Sequence, residues 1–389
     1  MIPRIAISTL KELGRKFPVL SLIGPRNSGK NTLAKAVFPG IPHISLEDPA
    51  IRESASTSPD SFLTGFPDGA ILNEVHRSPG LVSYIMNQTD SGDNNGPLIL
   101  ITSHATPSFL EKPGESKERT GILRLLPLSI SELTGSGNLP KEIDELLFKG
   151  MYPALHVTPA APSVWYSAYV SGFLDRDVRQ HINVRDISIF LRFFRLCASQ
   201  TGRILNLSML AKECDISHNT AKAWLSVLES GHLIFFLFPS DRSYNKRLVK
   251  TPKLYFYDTG LAAWLLGIQE VGRIASHPMR GALFETWAVS ELMKGRFNRG
   301  LPSCFNFWRD NIGNEIDLIA EQGQTLVPIE IKAVDRLTDD HFEGMKRWLA
   351  LAGNDGGRGR LIYCGEEQRR REEAAVIPWR DMDALAERI

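Results

Sequence analysis

Gly24-Pro25-Arg26-Asn27-Ser28-Gly29-Lys30-Asn31-Thr32 follows the apolar run Phe17-Pro-Val-Leu-Ser-Leu-Ile23 and opens a helical pattern that ends near Phe38. A G-x-x-x-x-G-K stretch set between a strand and a helix describes a loop whose backbone N–H groups surround phosphate oxygens. The helix N-terminus completes that cradle, and the lysine reaches the β- and γ-phosphates. A purely structural glycine turn is the bland alternative, and the strand–loop–helix setting argues against it. Residues 24–32 are all candidate nucleotide contacts.

The next position in such loops is Ser or Thr, whose hydroxyl ligates Mg²⁺; here it is Asn31. Some forty residues on, Ala70-Ile-Leu-Asn73-Glu74 has the form of a strand ending in Asp-Glu, with Asn73 where the aspartate would help hold the hydrated metal. An amide oxygen can ligate a hard cation but brings no charge to the site. Glu74 remains as the residue to polarise a water. Lys30 and the glycines are intact while both metal-facing positions are altered, which predicts nucleotide binding over a weakened Mg²⁺ site, without efficient hydrolysis.

Outward from the loop, residues 1 to about 135 alternate β-like runs (19–24, 43–48, 70–75 and 98–103) with helical segments and polar loops such as 89–97 and 111–120. Alternation of this kind predicts βαβ units around a parallel sheet. Residues 134–142 read as an exit linker. Residues 145–270 are richer in helical periodicity, and residues 275–389 return to mixed α/β with strands at 305–309, 315–321, 326–333 and 359–364. For 389 residues this means three modules.

Lys plus Arg (45) nearly cancels Asp plus Glu (44), which excludes a globally polycationic nucleic-acid binder. The balance is local: residues 151–270 hold 13 basic against 9 acidic residues. Cys197, Cys214, Cys304 and Cys364 are far apart with no CxxC pair, so reduced thiols are expected. No stretch reaches the roughly 18–20 apolar residues of a bilayer span. The first seventeen residues read as a short amphipathic helix, not a signal peptide. A cytoplasmic protein without membrane partners is expected.

In the middle region, residues 207–229 have the pattern of a helix-turn-helix. Ser217 is the expected N-cap, and Ala221, Trp224, Leu225 and Leu228 form the buried face. The runs LIFFLF and KRLVK (246–250) would form a wing. If the second helix reads DNA, its first turn presents His218, Asn219 and Lys222. If the region is a lid on the nucleotide, those residues have no such role; one lysine on that helix is little charge for phosphate contacts. Arg176 and Asp177 read as an ordinary helix-surface charge pair or as phosphate contacts. Tyr152-Pro153 reads as an adenine platform or a simple turn.

The C-terminal region holds Glu285 in a helix, Asp317 in NEIDLI, and Glu330-Ile-Lys332 in VPIEIKA, the order of the PD-(D/E)xK nuclease pattern. Strand alternation puts Glu330 and Lys332 on one face, opposite Val327, Ile329, Ile331 and Ala333. Glu285, Asp317 and Glu330 are candidate ligands of a second Mg²⁺ at the sheet edge, with Lys332 positioning water for phosphodiester attack. A charged outer strand face with surface ion pairs is the alternative.

Taken together, the chain resembles the prokaryotic AAA-type ATP-binding proteins that carry a domain of unknown function (DUF4143) at the C-terminus. The resemblance covers nearly the whole sequence. It rests on GPRNSGKNTLAKAVFP, ISLEDPAIRE, GAILNEVHRSP, LLPLSISEL, MYPALH, YVSGFLDRDVRQHINVRD, KTPKLYFYDTGLAAWLLG, HPMRGALFETWAVSEL, NFWRDNIGNEIDLIAE and LVPIEIKA. The family pattern GKTT stands here as Lys30-Asn31-Thr32, LDEVQ as Leu72-Asn73-Glu74-Val75-His76, and LTGSQ as Ile101-Thr102-Ser103-His104. Arg119 lies one residue short of the spacing of a family arginine that senses the γ-phosphate.

The resemblance implies an AAA-like P-loop domain (1–135), a helical and winged-helix lid (145–270) and a nuclease-like α/β domain (275–389). Its leading implication is an ATP-binding, nucleotide-dependent switch with weak or lost hydrolysis. The alternatives are an ATP-gated, metal-dependent DNA nuclease and a DNA- or partner-binding scaffold. A protein partner and oligomerisation are compatible with each.

Overall fold

The apolar runs flanking Gly24 form the middle of a parallel sheet in the computed structural model, which describes residues 2–89, 96–104, 120–179, 187–242, 244, 248–353, 356–371 and 373–389. Its strands are β1 (Val19–Ile23), β2 (His43–Ser45), β3 (Ala70–Asn73), β4 (Leu98–Thr102) and β5 (Thr120–Arg124), in the order β2-β3-β4-β1-β5. Every pairing is parallel. Both faces are covered, which is why the strands read as apolar runs without clear alternation. Leu20, Leu22, Ile99, Ile101 and Leu123 meet Leu10 of the helix Ile7–Lys16 and Leu33 and Ala34 of the helix Lys30–Val37. Val19, Ala70, Leu72 and Leu100 meet Leu46, Ala55, Leu63, Leu81 and Ile85 on the other side.

The register aligns Ile23 with Thr102 and Asn73 with Ile101. The segments that follow β1, β3 and β4 therefore leave the sheet side by side at its carboxyl edge, where open α/β sheets bind ligands. β5 lies beside β1 and carries residue 120, which the sequence places at the end of a polar loop. It is short, and Thr120 and Arg124 interrupt its apolar pattern.

In the middle region, the helix Pro162–Phe173 widens into a π-helical turn over Leu174–Val178. The helix Ile187–Ser199 follows, then β6 (Arg203–Ile204), the helices Leu207–Glu213 and His218–Ser230, β7 (Ile234–Leu237) and β8 (Lys253–Phe256). The three strands form an antiparallel sheet in the order β6-β8-β7. Ser217 caps the second of the two consecutive helices, its Oγ accepting from the Thr220 amide at 3.0 Å. Ala221, Trp224, Leu225 and Leu228 are buried, with the Trp224 ring edge-on to Phe190 and Phe193.

The C-terminal region starts with the long helix Arg280–Asn298 and continues as β9 (Phe305–Arg309), β10 (Glu315–Gln322), β11 (Thr325–Lys332), β12 (Gly359–Tyr363), β13 (Arg369–Arg370) and β14 (Ala374–Pro378). Sheet order is β13-β14-β12-β11-β10-β9, parallel across β11, β12 and β14 and antiparallel at both ends. One apolar core runs from Leu126 through the middle region to Ile389. Polar ties reinforce it: buried Glu291 accepts from the Ile130 amide at 2.8 Å, and Lys294 donates to the Leu128 carbonyl at 2.8 Å. Cys197, Cys214 and Cys364 are buried and Cys304 half-buried, all as free thiols. Among the described residues no helix is long and apolar enough to cross a membrane.

Candidate functional site

The loop after β1 is shaped by backbone that few residue types can adopt. Gly24 has φ 156°, and a Cβ there would lie 2.1 Å from the Leu125 carbonyl oxygen. Gly29 has φ 96° immediately before the helix Lys30–Val37, and Asn27 takes the left-handed conformation at φ 61°, which asparagine tolerates better than most residues. Lys30 is buried and folds across the loop, its Nζ donating to the Gly24 and Pro25 carbonyls at 2.7 Å each and to Ser103 Oγ at 3.2 Å. Burial pushes this ammonium down to about 8; Glu74 opposes that shift and Arg26 adds to it. Arg4 anchors the same loop from the N-terminal segment, donating to the Ser28 carbonyl at 2.6 Å and to the Leu126 carbonyl at 2.8 Å.

Glu74 begins the 3₁₀ turn that follows β3, in left-handed backbone at φ 56°. Such a conformation costs a glutamate about 1–2 kcal/mol. Its Oε1 accepts from Ser103 Oγ at 2.7 Å, and its Oε2 lies 3.2 Å from His76 Nδ1. Ser103 thus touches both Lys30 and Glu74. Burial alone would raise the Glu74 carboxyl, but the His76 contact and the charges of Arg26 and Lys30 hold it below the usual carboxylate range. Arg26 reaches three carboxylates: Glu47 at 3.0 Å, Asp177 at 3.2 Å and Glu74 at 3.7 Å. Asp177 is 1% exposed, in the π-helical turn, and also stands 3.5 Å from His104 Nε2. It is not a helix-surface charge as the sequence suggests: its partner comes from the phosphate loop, while Arg176 is exposed.

The two altered positions do not suit a hexahydrated-type Mg²⁺ site. Asn31 Oδ1 is 3.3 Å from His43 Nε2. Among the described residues, buried Asn73 Oδ1 and Ser28 Oγ have no hydrogen-bond partner. The donors at positions 31 and 73 are neutral amides, so neither brings the charge that favours a hard dication.

Beside Gly29 and Thr32 lies an apolar cavity of about 260 Å³ lined by Ile2, Ile7, Leu33, Leu128 and Pro153. Pro153, the first residue of a short helix, reaches this cavity. Tyr152 does not line it. Its ring is buried, and its hydroxyl lies 2.8 Å from that of Tyr169.

His218, Asn219 and Lys222 are exposed on the first turn of the helix His218–Ser230, away from the phosphate loop's hydrogen bonds. Arg119 lies outside the described residues.

In the C-terminal region, Asp317, Glu330 and Lys332 come together, but in the interior of the sheet and not at its edge. Lys332 Nζ is 2.5 Å from Glu330 and 3.5 Å from Asp317, whose Oδ2 also accepts from the Ile331 amide at 2.8 Å. Glu330 is not on an outer face: it is buried under the helix Asp340–Ala352, where a Cβ on Gly344 would come within 3.2 Å of its Oε1. Burial and the charge of Asp317 push the Glu330 carboxyl up to about 8. Burial opposes ionisation of Asp317 too, yet the ammonium groups of Lys332 and Lys253 hold it low.

Glu285 is engaged separately, by Lys253 at 3.1 Å and the Tyr255 hydroxyl at 2.5 Å; Lys253 also pairs with Glu315 at 2.5 Å. The expected metal trio is thus saturated by cations. Among the described residues, the one group of three His, Cys, Asp or Glu side chains with mutually close ligand atoms is Glu74, His76 and His104.

Sequence reasoning missed Arg4, Lys253 and Tyr255, and for Asp177 it offered a surface charge pair or a phosphate contact, not the buried ion pair with Arg26. A lysine inside the apolar strand pattern Lys253-Leu-Tyr-Phe256 was the available signal, since a charge there needs a buried counter-charge.

An AAA domain model matches residues 16–134, and models of two domains of unknown function, DUF8612 and DUF4143, match residues 140–271 and 280–382. The AAA and DUF4143 matches form the architecture that the motifs resemble. Uncharacterized protein Rv2008c of Mycobacterium tuberculosis is 25% identical over 370 residues, 94% of this chain and 80% of its own. Uncharacterized protein Mb2031c of Mycobacterium bovis gives the same figures. A Walker-type ATPase of Pyrococcus abyssi is similar with a TM-score of 0.47 and 16% identity, covering 68% of this chain and 96% of that one. A RuvB variant of Thermotoga maritima has a TM-score of 0.29 and 14% identity, covering 61% and 87%. Residues 16–134 have an AAA-type, P-loop NTPase-like fold.

Proposed function

We propose that the N-terminal domain binds ATP as a switch and hydrolyses it slowly or not at all. One observation carries this reading: the phosphate loop and Lys30 keep the conformation that anion binding needs, while Asn31 and Asn73 put neutral amides at the metal-facing positions. Lys30 and the loop amides would hold the phosphates, and the cavity beside Gly29 and Pro153 would take the base. Glu74, the residual water-orienting group, is committed to Ser103 and His76. Arg26 supplies the switch, because a bound polyphosphate competes with Asp177 for its guanidinium and so loosens the tie between loop and middle region.

The test is a calorimetric titration of ATP with and without Mg²⁺, followed by phosphate release on the same sample. Binding that depends on Lys30 but little on Mg²⁺, with turnover far below about 1 s⁻¹, is expected. Turnover of that order, abolished by Lys30→Ala, would overturn the reading.

The helix, strand, two-helix and two-strand order of residues 187–256 supports a winged helix that transmits the switch. Exposed His218, Asn219 and Lys222 make it a candidate DNA surface, for which duplex affinity should fall steeply with salt. Metal-dependent cleavage by the C-terminal domain is the weaker reading, since Lys253 and Lys332 already neutralise its carboxylates.

A further inference from the structure

Two of the chain's departures from the family pattern meet in space. His76 stands where that pattern has the glutamine of LDEVQ, and His104 closes the stretch Ile101-Thr102-Ser103-His104 that stands for LTGSQ. The parallel pairing of β3 with β4 sets Asn73 beside Ile101, so the residues three positions further along each strand emerge next to one another. Their imidazole centroids are 4.3 Å apart at 40°. Glu74, His76 and His104 each offer a ligand atom, and those atoms lie within 4.8 Å of one another.

We propose that Glu74, His76 and His104 form a three-ligand binding site for a transition-metal dication of the Zn²⁺ class, with the fourth position left to an exogenous ligand. With bonds of about 2.0–2.1 Å to nitrogen and oxygen, neighbouring ligand atoms of a tetrahedron stand about 3.3 Å apart. Glu74 Oε2 is 3.2 Å from His76 Nδ1, and the three ligand atoms all lie within 4.8 Å of one another, so small side-chain shifts close the shell. The three side chains are nearly closed to solvent, between 6% and 9% exposed. Asp177, beside His104, stays the ion-pair partner of Arg26.

Imidazole nitrogen selects Zn²⁺, Co²⁺ or Cu²⁺ over Mg²⁺, which favours oxygen ligands and octahedral geometry. The site therefore differs in kind from the Mg²⁺ position that Asn31 and Asn73 have weakened. All three ligands come from the AAA domain, and His104 stands 3.5 Å from Asp177 of the middle region, so a bound ion would fix one side of that contact. It would also take up Glu74, the group left to orient a water. The proposal does not rest on nucleotide binding, since its probe is the metal alone.

The test is titration of the metal-stripped full chain with Co²⁺, followed by visible d–d absorption and then displacement by Zn²⁺. One equivalent with a tetrahedral spectrum is expected. In the His76→Gln, His104→Gln double variant, which removes two of the three ligands, affinity should drop by at least about a hundredfold, more than the loss of an outer-shell partner costs. Zn²⁺ should raise the melting temperature of the parent and not of that variant. X-ray absorption at the zinc edge of the unmodified protein provides a readout that needs no variant, and should show a shell of two imidazoles. No Co²⁺ spectrum, equal binding by parent and variant, or a zinc shell without imidazole would each overturn the proposal.

Discussion

Arg4 Nε lies 2.9 Å from Glu132 Oε1 in an ion pair closed to solvent on both sides. Glu132 sits in a capping box with Ser129, and Arg4 holds the Ser28 carbonyl, so the pair joins the N-terminal segment, the phosphate loop and the exit from the sheet. Removing one partner leaves a buried charge uncompensated. Glu132→Ala should therefore lower unfolding free energy by about 3–5 kcal/mol, read from urea midpoints. ATP affinity should fall with it, because the loop loses its anchor; a shift below about 1 kcal/mol would contradict the burial seen here.

Lys30 links nucleotide affinity to pH. Its ammonium is held at about 8, below the ordinary lysine value of 10.5, mainly by burial. A polyphosphate favours the charged form, so binding must restore a proton that the free protein loses above about pH 8. Affinity for ATP should be flat below that point and fall by up to about tenfold per pH unit above it. In Lys30→Ala the fall should vanish. Titration of the nucleotide's own phosphate is common to both proteins and cancels in the comparison.

Restoring the usual chemistry at the two altered positions tests whether they limit hydrolysis. Asn31→Thr with Asn73→Asp returns a hydroxyl and a carboxylate to the metal-facing side of the loop. Phosphate release with Mg²⁺ should rise at least about tenfold, about 1.4 kcal/mol off the barrier. An unchanged rate would move the block to Glu74 and its ties to His76 and Ser103.

The parts of the site visible in the sequence are those that lie within one strand–loop–helix unit. Val19–Ile23, the glycines and Lys30 are contiguous, and their chemistry is fixed by local backbone geometry. Asn31 and Asn73 were legible for the same reason, as departures inside short motifs. Contacts that depend on which strands are neighbours were not. Arg26 meets Asp177 across 151 residues, and the His76–His104 pair exists only because β4 lies next to β3. In the C-terminal region four strands were legible as apolar runs, yet Glu330 was read as exposed. Period-2 alternation cannot say that the helix Asp340–Ala352 covers the polar face. β14 was missed because Ala374–Pro378 opens on two alanines and ends on a proline, which leaves only Val376 and Ile377 as a strand signal.

Lys253 is 2% exposed, paired with Glu285 and Glu315, and lies 5.5 Å from the centre of the Phe307 ring. Lys253→Met keeps the volume and strands the Glu285 carboxylate, while Glu315 keeps Arg309 at 2.7 Å, so a loss of about 3–5 kcal/mol is expected, borne by Glu285. Burial already raises the Glu285 carboxyl, so the unpaired group escapes its penalty by taking a proton. The loss should therefore be smaller at acid pH than at alkaline pH. Equal losses at both would show that packing, not charge, dominates the site.

Glu330 sets the sign of a second pH effect. Its carboxyl is pushed from the ordinary 4.5 up to about 8 by burial and by Asp317. A folded-state value above the unfolded one means that the protonated form is favoured in the folded protein. The resulting stabilisation is complete below the unfolded value and is lost as pH rises through about 8. Lys332, 2.5 Å away, tempers the loss without cancelling it. Urea unfolding of the parent should therefore show stability declining from about pH 4.5 to about pH 8 and levelling above it, with a slope of at most about 1.4 kcal/mol per unit for one proton. Glu330→Gln keeps the shape, carries no proton to lose, and should flatten this component. A parent and variant with parallel profiles would mean that Glu330 is ionised throughout the range, and that Lys332 outweighs burial at the centre of the sheet.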